Sequence, residues 1–193
     1  MKRFYLFAAF VLLGIAGSAQ EITVPKTDGP PLLDGRFTER EWAGARIFRV
    51  NDSLELYVKQ DREYFYWCLR DRRANLMGVD FYIAFRDSMV NLHASAKLGE
   101  RVYRKDAGYG KWDWWNHRDW AANVNPFNSF EGQRFLKDEA KEYQVDKRRI
   151  GGGTVLLMFG LDPRGVVPST YPQGADPENP EKWMKLRLEP VKD

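Results

Sequence analysis

From Arg46 onward the apolar residues of this chain recur at every second position. Leu54, Leu56 and Val58 alternate with Glu55, Tyr57 and Lys59, and Phe65, Trp67 and Leu69 alternate with Tyr64, Tyr66 and Cys68. Successive side chains of an extended strand point to opposite faces, so a period of two lays one apolar row along one side of a sheet. Between the two rows, Gln60-Asp61-Arg62-Glu63 reads as a polar hairpin turn. Val79, Phe81, Ile83 and Phe85 form a third row, facing away from Asp80 and Tyr82, and Leu92, Ala94 and Ala96 a fourth, opposite Asn91, His93 and Ser95. Residues 145–150 and 154–161 read as two later strands, the second apolar on both faces and therefore central, and residues 183–188 as the closing strand. Many short strands joined by polar turns predict an all-β fold, an antiparallel β-sandwich with jelly-roll or immunoglobulin-like layers.

One helical turn and two long loops interrupt this rhythm. Asp34-Gly35 is a tight-turn dipeptide, and Thr38 followed by Glu41 is a capping box that opens a short N-terminal helical turn, with Trp42 as its anchor into the core. Residues 104–131 and the proline-rich residues 163–180 are the loops. Long loops inside a compact domain are commonly functional, and sandwiches carry their binding loops at their ends.

Residues 1–19 have the anatomy of a secretory signal peptide. Lys2-Arg3 is a basic start, residues 4–15 are apolar, and Gly17-Ser18-Ala19 is a small-residue cleavage signal. The apolar run is too short to span a bilayer. Residues 20–193 are then one domain, expected to be exported to the periplasm or the extracellular space as a soluble protein. The whole chain has 30 basic and 27 acidic residues, two of the basic ones being Lys2 and Arg3 of the leader, so the mature chain is nearly neutral. The charges alternate in sign (DREY, RDRR, KDEAKE, DKRR), which reads as solvated surface, and nothing resembles the basic stripe of a nucleic-acid-binding protein. Cys68 is the sole cysteine. It has no partner for an internal disulfide and reads as a small buried hydrophobe.

Four of the seven tryptophans, Trp112, Trp114, Trp115 and Trp120, fall within nine residues, interleaved with Asp113, Asn116, His117, Arg118 and Asp119. Flat apolar faces beside hydrogen-bonding groups suit a sugar ring; the alternative is a loop that folds its rings down onto the scaffold. Asp80 and His93 sit on the off-core faces of their strands. With Arg70 they would bring an acid, a base and a cation to one sheet face if the strands are neighbours; otherwise they simply meet solvent. There is no GxSxG, no HExxH and no spacing that singles out a carboxylate pair, so no enzyme is expected.

The opening LDGxxxxxEW (Leu33 to Trp42) resembles the start of carbohydrate-binding modules of family 9. The resemblance continues through LYVKQDREYFYWCLR (from Leu56), VDFYIAF (from Val79) and the stretch from Asp176-Pro177 to WMKLRL at 183–188. It implies a β-sandwich, related to sugar- or haem-binding DOMON domains, that binds mono- or oligosaccharides without catalysis and serves glycoside hydrolases in carbohydrate catabolism. In the family a Trp just before the acidic strand and another before the final strand sandwich the sugar. Here the first region, residues 73–77, has no ring, and the second offers only Tyr171. Asp80 matches the acidic position. The ring platform is therefore assigned to Trp112, Trp114, Trp115 and Trp120, with Asn116, His117, Arg118, Asp80 and His93 as hydrogen-bonding partners. Some members carry structural calcium, for which Asp113/Asp119 or Asp176/Glu178 could gather oxygens; the DOMON kinship would let His93 and Met77, Met89, Met158 or Met184 hold a haem, though no cofactor is expected. A protein-interaction sandwich of the envelope, with the Trp loop turned inward, is the other reading.

Overall fold

Alternating apolar rows cannot stay in water, and here they face each other across the gap between two sheets. The computed structural model describes residues 20–115, 119–125, 127–128, 134–161 and 170–191. The first strands are β1 (Ile22–Thr23), β2 (Arg46–Arg49), β3 (Leu54–Gln60), β4 (Tyr64–Asp71), β5 (Val79–Phe85), β6 (Ser88–Ala94) and β7 (Leu98–Arg104). The Trp-rich region adds short pieces: β8 (Gly108–Tyr109), β9 (Asp113–Trp114), β10 (Trp120–Ala122), β11 (Phe127–Asn128) and β12 (Arg134–Phe135). Then follow β13 (Ala140–Asp146), the helical turn α1 (Lys147–Ile150), β14 (Gly153–Leu161), β15 (Thr170–Tyr171) and β16 (Met184–Leu188). The larger sheet runs β1-β16-β14-β5-β6-β7-β8, with β15 beside β14 and β9 beside β7; the smaller runs β10-β13-β4-β3-β2. Pairing is antiparallel except between β1 and β16.

The inward rows meet as one core. Leu56, Val58, Phe65, Trp67, Leu69, Tyr143 and Val145 of the smaller sheet lie against Val79, Phe81, Ile83, Leu92, Leu157, Phe159 and Leu186 of the larger. Trp67 sits at its centre, stacked on Tyr143 at 5.3 Å between ring centroids and tilted against Phe81 at 5.4 Å. The expected β-sandwich is what forms. One segment differs: residues 147–150 are helical rather than extended. Asp146 accepts from the Arg148 N–H as an N-cap, and Gly151 closes the turn in the left-handed conformation at φ 78°. These local caps override the alternation.

The charged runs also behave differently from a solvated face. In KDEAKE, Asp138, Lys141 and Glu142 are buried, and Lys141 Nζ meets Asp138 Oδ2 at 2.7 Å. The cause lies about 100 residues earlier. Residues 34–45 cross the outer face of the smaller sheet and cover it, with Phe37 on Tyr57 and Trp42 over Tyr57 and Lys59. Cys68, fully buried in this layer, has its thiol pushed well above the ordinary range by desolvation. The Thr38–Glu41 pair forms in part: Thr38 Oγ1 accepts from the Glu41 N–H, but the Glu41 carboxylate takes the Thr38 hydroxyl at 2.6 Å rather than its backbone N–H, and residues 39–44 make turns instead of a helix.

Glu142 on β13 fastens that covering segment. Oε2 accepts from the N–H groups of Asp34 (3.1 Å) and Gly35 (3.0 Å), and Oε1 accepts from the Trp42 indole N–H (3.0 Å). One side chain thus holds both ends of LDGxxxxxEW. Desolvation, the largest influence, outweighs these donors and lifts the Glu142 carboxyl from 4.5 to about 7. Between those two values the folded chain holds a proton that the unfolded chain has released, so stability falls as pH rises. We expect the melting temperature to drop from pH 4.5 to 7, by an amount equivalent to about 3 kcal/mol at most, with this slope flattened in Glu142→Gln. Glu142→Ala, which strands three buried donors at about 1–3 kcal/mol each, should cost at least about 3 kcal/mol in chemical denaturation.

Candidate functional site

The outer face of the larger sheet carries the polar and aromatic residues that alternate with its core rows. Register sets them in lines across the strands. Gly160, Asp80, His93, Gly99 and Trp114 form one line through β14, β5, β6, β7 and β9; Met158, Tyr82, Asn91 and Arg101 form the next. Asp80 and His93 are direct cross-strand partners, the spacing at which side chains on one face meet. Asp80 Oδ1 lies 2.9 Å from His93 Nδ1, and His93 Nε2 lies 2.8 Å from the hydroxyl of Ser95, two residues along the same strand direction.

Trp112 and Trp114 roof this pair. The two indoles stack at 5.0 Å and 22°, and both stand edge-on to the His93 ring, at 5.5 and 5.9 Å. Gly99 makes room for them: a β-carbon there would fall 2.3 Å from Trp114 Cζ3. Cations extend the stack at both ends. Lys97 Nζ sits 3.6 Å above the Trp114 ring, and the Arg101 guanidinium lies over Trp112 at 4.6 Å and over Tyr109 at 4.8 Å. The result is a ladder, Lys97–Trp114–Trp112–Arg101–Tyr109, held by ring quadrupoles. Beneath it, Asn91 is fully buried, and among the described residues neither polar atom of its side chain has a hydrogen-bond partner; the same holds for Arg101 Nε. Burial raises the Tyr82 and Tyr109 phenols, so both act as neutral hydrogen-bonding groups. Trp115, next in the chain, takes a left-handed backbone (φ 64°), unusual for a bulky residue, and its ring is 59 % exposed.

The tryptophans read together from the sequence therefore part company. Trp112 and Trp114 lie on the sheet face, half-buried, and Trp115 projects outward. Trp120 goes the other way: it begins β10 opposite Val145, is 4 % exposed and stacks on Tyr143 in the core at 6.2 Å. Asn116, His117 and Arg118 lie outside the described residues. Asp80 and His93 come together as the strand faces suggested, but Arg70 does not join them. It belongs to the smaller sheet, where it donates to Glu139 (3.0 Å) and lies over Phe37 at 4.0 Å. Tyr171 stacks on Phe159 at the margin of the core.

Several of the residues considered for metals have partners of their own. Asp119 accepts from Arg149 at 3.1 Å, and Asp176 accepts from the Glu178 N–H at 2.9 Å within its own turn. Both ring nitrogens of His93 are hydrogen-bonded, Met184 packs in the core, and Met158 is buried on the outer face under Trp183 and Ala175. Among the described residues no helix is long and apolar enough to cross a membrane. Sequence reading passed over Ser95, Lys97, Gly99, Asn91 and Arg101. Ser95 was recoverable, since it shares a strand face with His93 at the i, i+2 spacing. Asn91 shares that face at the same spacing, whereas Lys97, Gly99 and Arg101 depend on β6–β7 and β7–β9 pairing.

Together the two sheets and their order define the class of protein: a β-sandwich with the fold of carbohydrate-binding modules of family 9. Two solved structures of such a module from Caldicellulosiruptor kristjanssonii match it. One, in complex with cellotriose, covers 90 % of this chain and 96 % of its own at a TM-score of 0.50; the other, in complex with glucose, covers 90 % and 98 % at 0.52. Identity is 10 % in each case, so the likeness is one of fold. No sequence-family profile and no curated protein sequence matches the chain.

Because the indole pair rests on bare backbone, Gly99→Ala should push Trp114 off the sheet. The expected readout is loss of the exciton band of the stacked indoles in circular dichroism and a red shift of tryptophan emission, with the cooperative melt retained.

Proposed function

We propose that this is an exported carbohydrate-binding protein, carrying residues 1–19 as its leader, which holds a mono- or oligosaccharide against the Trp112–Trp115 face. One observation carries the reading: a stacked indole pair stands beside the Asp80–His93 pair on the sheet face, with the exposed Trp115 next to it in the chain. Rings for the C–H face of a pyranose and acceptors for its hydroxyls are then in one place. The fold shared with modules described in complex with cellotriose and glucose supports it.

The ladder supports one position for the sugar. Trp112 has Trp114 on one side and Arg101 on the other, so its faces are occupied. Trp114 is capped only by Lys97, an exposed side chain whose cation–π contact is worth roughly 0.5–1 kcal/mol. A sugar ring replaces Lys97 on Trp114 and extends toward Trp115. Ring stacking of about 1 kcal/mol per indole beyond area burial corresponds to dissociation constants of roughly 10–1,000 μM. Glycoside hydrolases of carbohydrate catabolism are the fitting partners for such a module.

The occupied faces of Trp112 favour one second reading, an envelope sandwich in which the ladder only seals the sheet. A glycan array, followed by fluorescence titration, separates the two. The mature protein should bind at least one glycan, and Trp114→Ala/Trp115→Ala should weaken binding at least tenfold while keeping its melt. Absence of binding to every glycan by the folded wild type would leave the sealing role.

A further inference from the structure

Ser95, His93 and Asp80 are arranged as a nucleophile, a base and an orienting acid, and we infer that they hydrolyse small acyl esters, with O-acylated sugars as the substrate class. The connectivity is what such chemistry needs. The carboxylate meets Nδ1 at 2.9 Å and the serine hydroxyl meets Nε2 at 2.8 Å, so the imidazole is gripped on one nitrogen and free to take a proton on the other. The carboxylate and imidazole are sheltered but not sealed, with side-chain exposures of 23 % and 19 %. Edge contacts from Trp112 and Trp114 hold the ring in place.

Gly78 borders the pair. A β-carbon there would make ordinary contact with Ser95 Cβ at 3.6 Å and His93 Cε1 at 3.7 Å, so a longer side chain at this position would crowd it. Ser95 starts the three-residue turn between β6 and β7, its N–H donating to the Lys97 carbonyl at 3.1 Å. Among the described residues, the N–H groups of Ala96 and Lys97, which follow the nucleophile directly, donate to no backbone carbonyl. They are the backbone donors nearest in sequence to the nucleophile, and in the inferred relay they take up the charge that develops on the acyl oxygen.

The reaction balances with water alone as co-reactant. Ser95 Oγ bonds to the acyl carbon as its proton passes to His93 Nε2. The bond from that carbon to the sugar oxygen breaks, and the sugar oxygen leaves with the Nε2 proton. Water then attacks the acyl-serine, giving a proton to Nε2 that returns to Ser95 Oγ as the carboxylic acid departs. Asp80 holds the Nδ1 proton throughout and steadies the imidazolium. The inference rests on the carbohydrate reading only for the alcohol half of the ester.

The test separates the two. The mature protein is incubated with a fluorophosphonate probe and mapped by mass spectrometry, and p-nitrophenyl acetate hydrolysis is followed for wild type, Ser95→Ala, His93→Ala and Asp80→Asn, each checked for a cooperative melt. We expect an adduct on Ser95, loss of hydrolysis to the uncatalysed background in Ser95→Ala and His93→Ala, and a fall of about 100-fold or more in Asp80→Asn. An unlabelled Ser95 in folded protein, or a Ser95→Ala rate equal to wild type, overturns the relay whatever the glycan array shows. Labelling and hydrolysis without glycan binding would sink the carbohydrate reading and leave the relay standing.

Discussion

The outer layer of the smaller sheet depends on a single carboxylate. Glu142 points away from the core, where a charged residue would ordinarily meet water, and instead accepts three N–H groups from residues 100 to 108 positions upstream. A buried acid is costly unless every lone pair is used, and the donors come from a tight turn and an indole, two groups whose positions are already stiff. This arrangement lets Phe37 and Trp42 settle over Tyr57, Tyr66 and Cys68 as a second apolar cluster. The sandwich is thus largely clad on this side; on the other, Ala175 and Trp183 cover Tyr82 and Met158, while His93, Trp112 and Trp114 stay partly exposed.

On that other face, rings and cations alternate in place of a plain apolar cover. The ladder from Lys97 to Tyr109 is anchored at its Arg101 end, where the guanidinium is wedged between two rings above the buried Asn91. Its Lys97 end is exposed. Such a gradient of rigidity suits recognition, since the fixed part presents geometry and the loose part can yield to a ligand. The Asp80–His93–Ser95 relay lies beneath the yielding end.

The core strands were legible because each buries one face and so shows a period of two. Val79 to Phe85 needed nothing beyond that pattern, and residues 154–161 were legible as a run apolar on both faces. The helical turn at 147–150 was hidden because Asp146 and Gly151 act through caps, which alternation does not register. The buried charges of KDEAKE and of Glu55 and Lys59 could not be told from solvated ones, since their cover comes from distant sequence. The candidate site was partly visible. Asp80 and His93 announced their face, and the i, i+2 spacing of Trp112 and Trp114 is consistent with their stacking on one side. Trp120 looked like their companion, but its pairing with Val145 turns it into the interior, and pairing is a property of two strands rather than one.

Cys68 gives this molecule an internal witness. Its sulfur is enclosed beneath the Trp42 layer and kept protonated by its surroundings, so alkylating reagents in bulk solvent find nothing to attack while that layer is in place. Any excursion that lifts the N-terminal cladding exposes the thiol. Because the chain has no second cysteine to compete for reagent, the rate of covalent capture would count the openings of that one layer, molecule by molecule, without a label having to be built in.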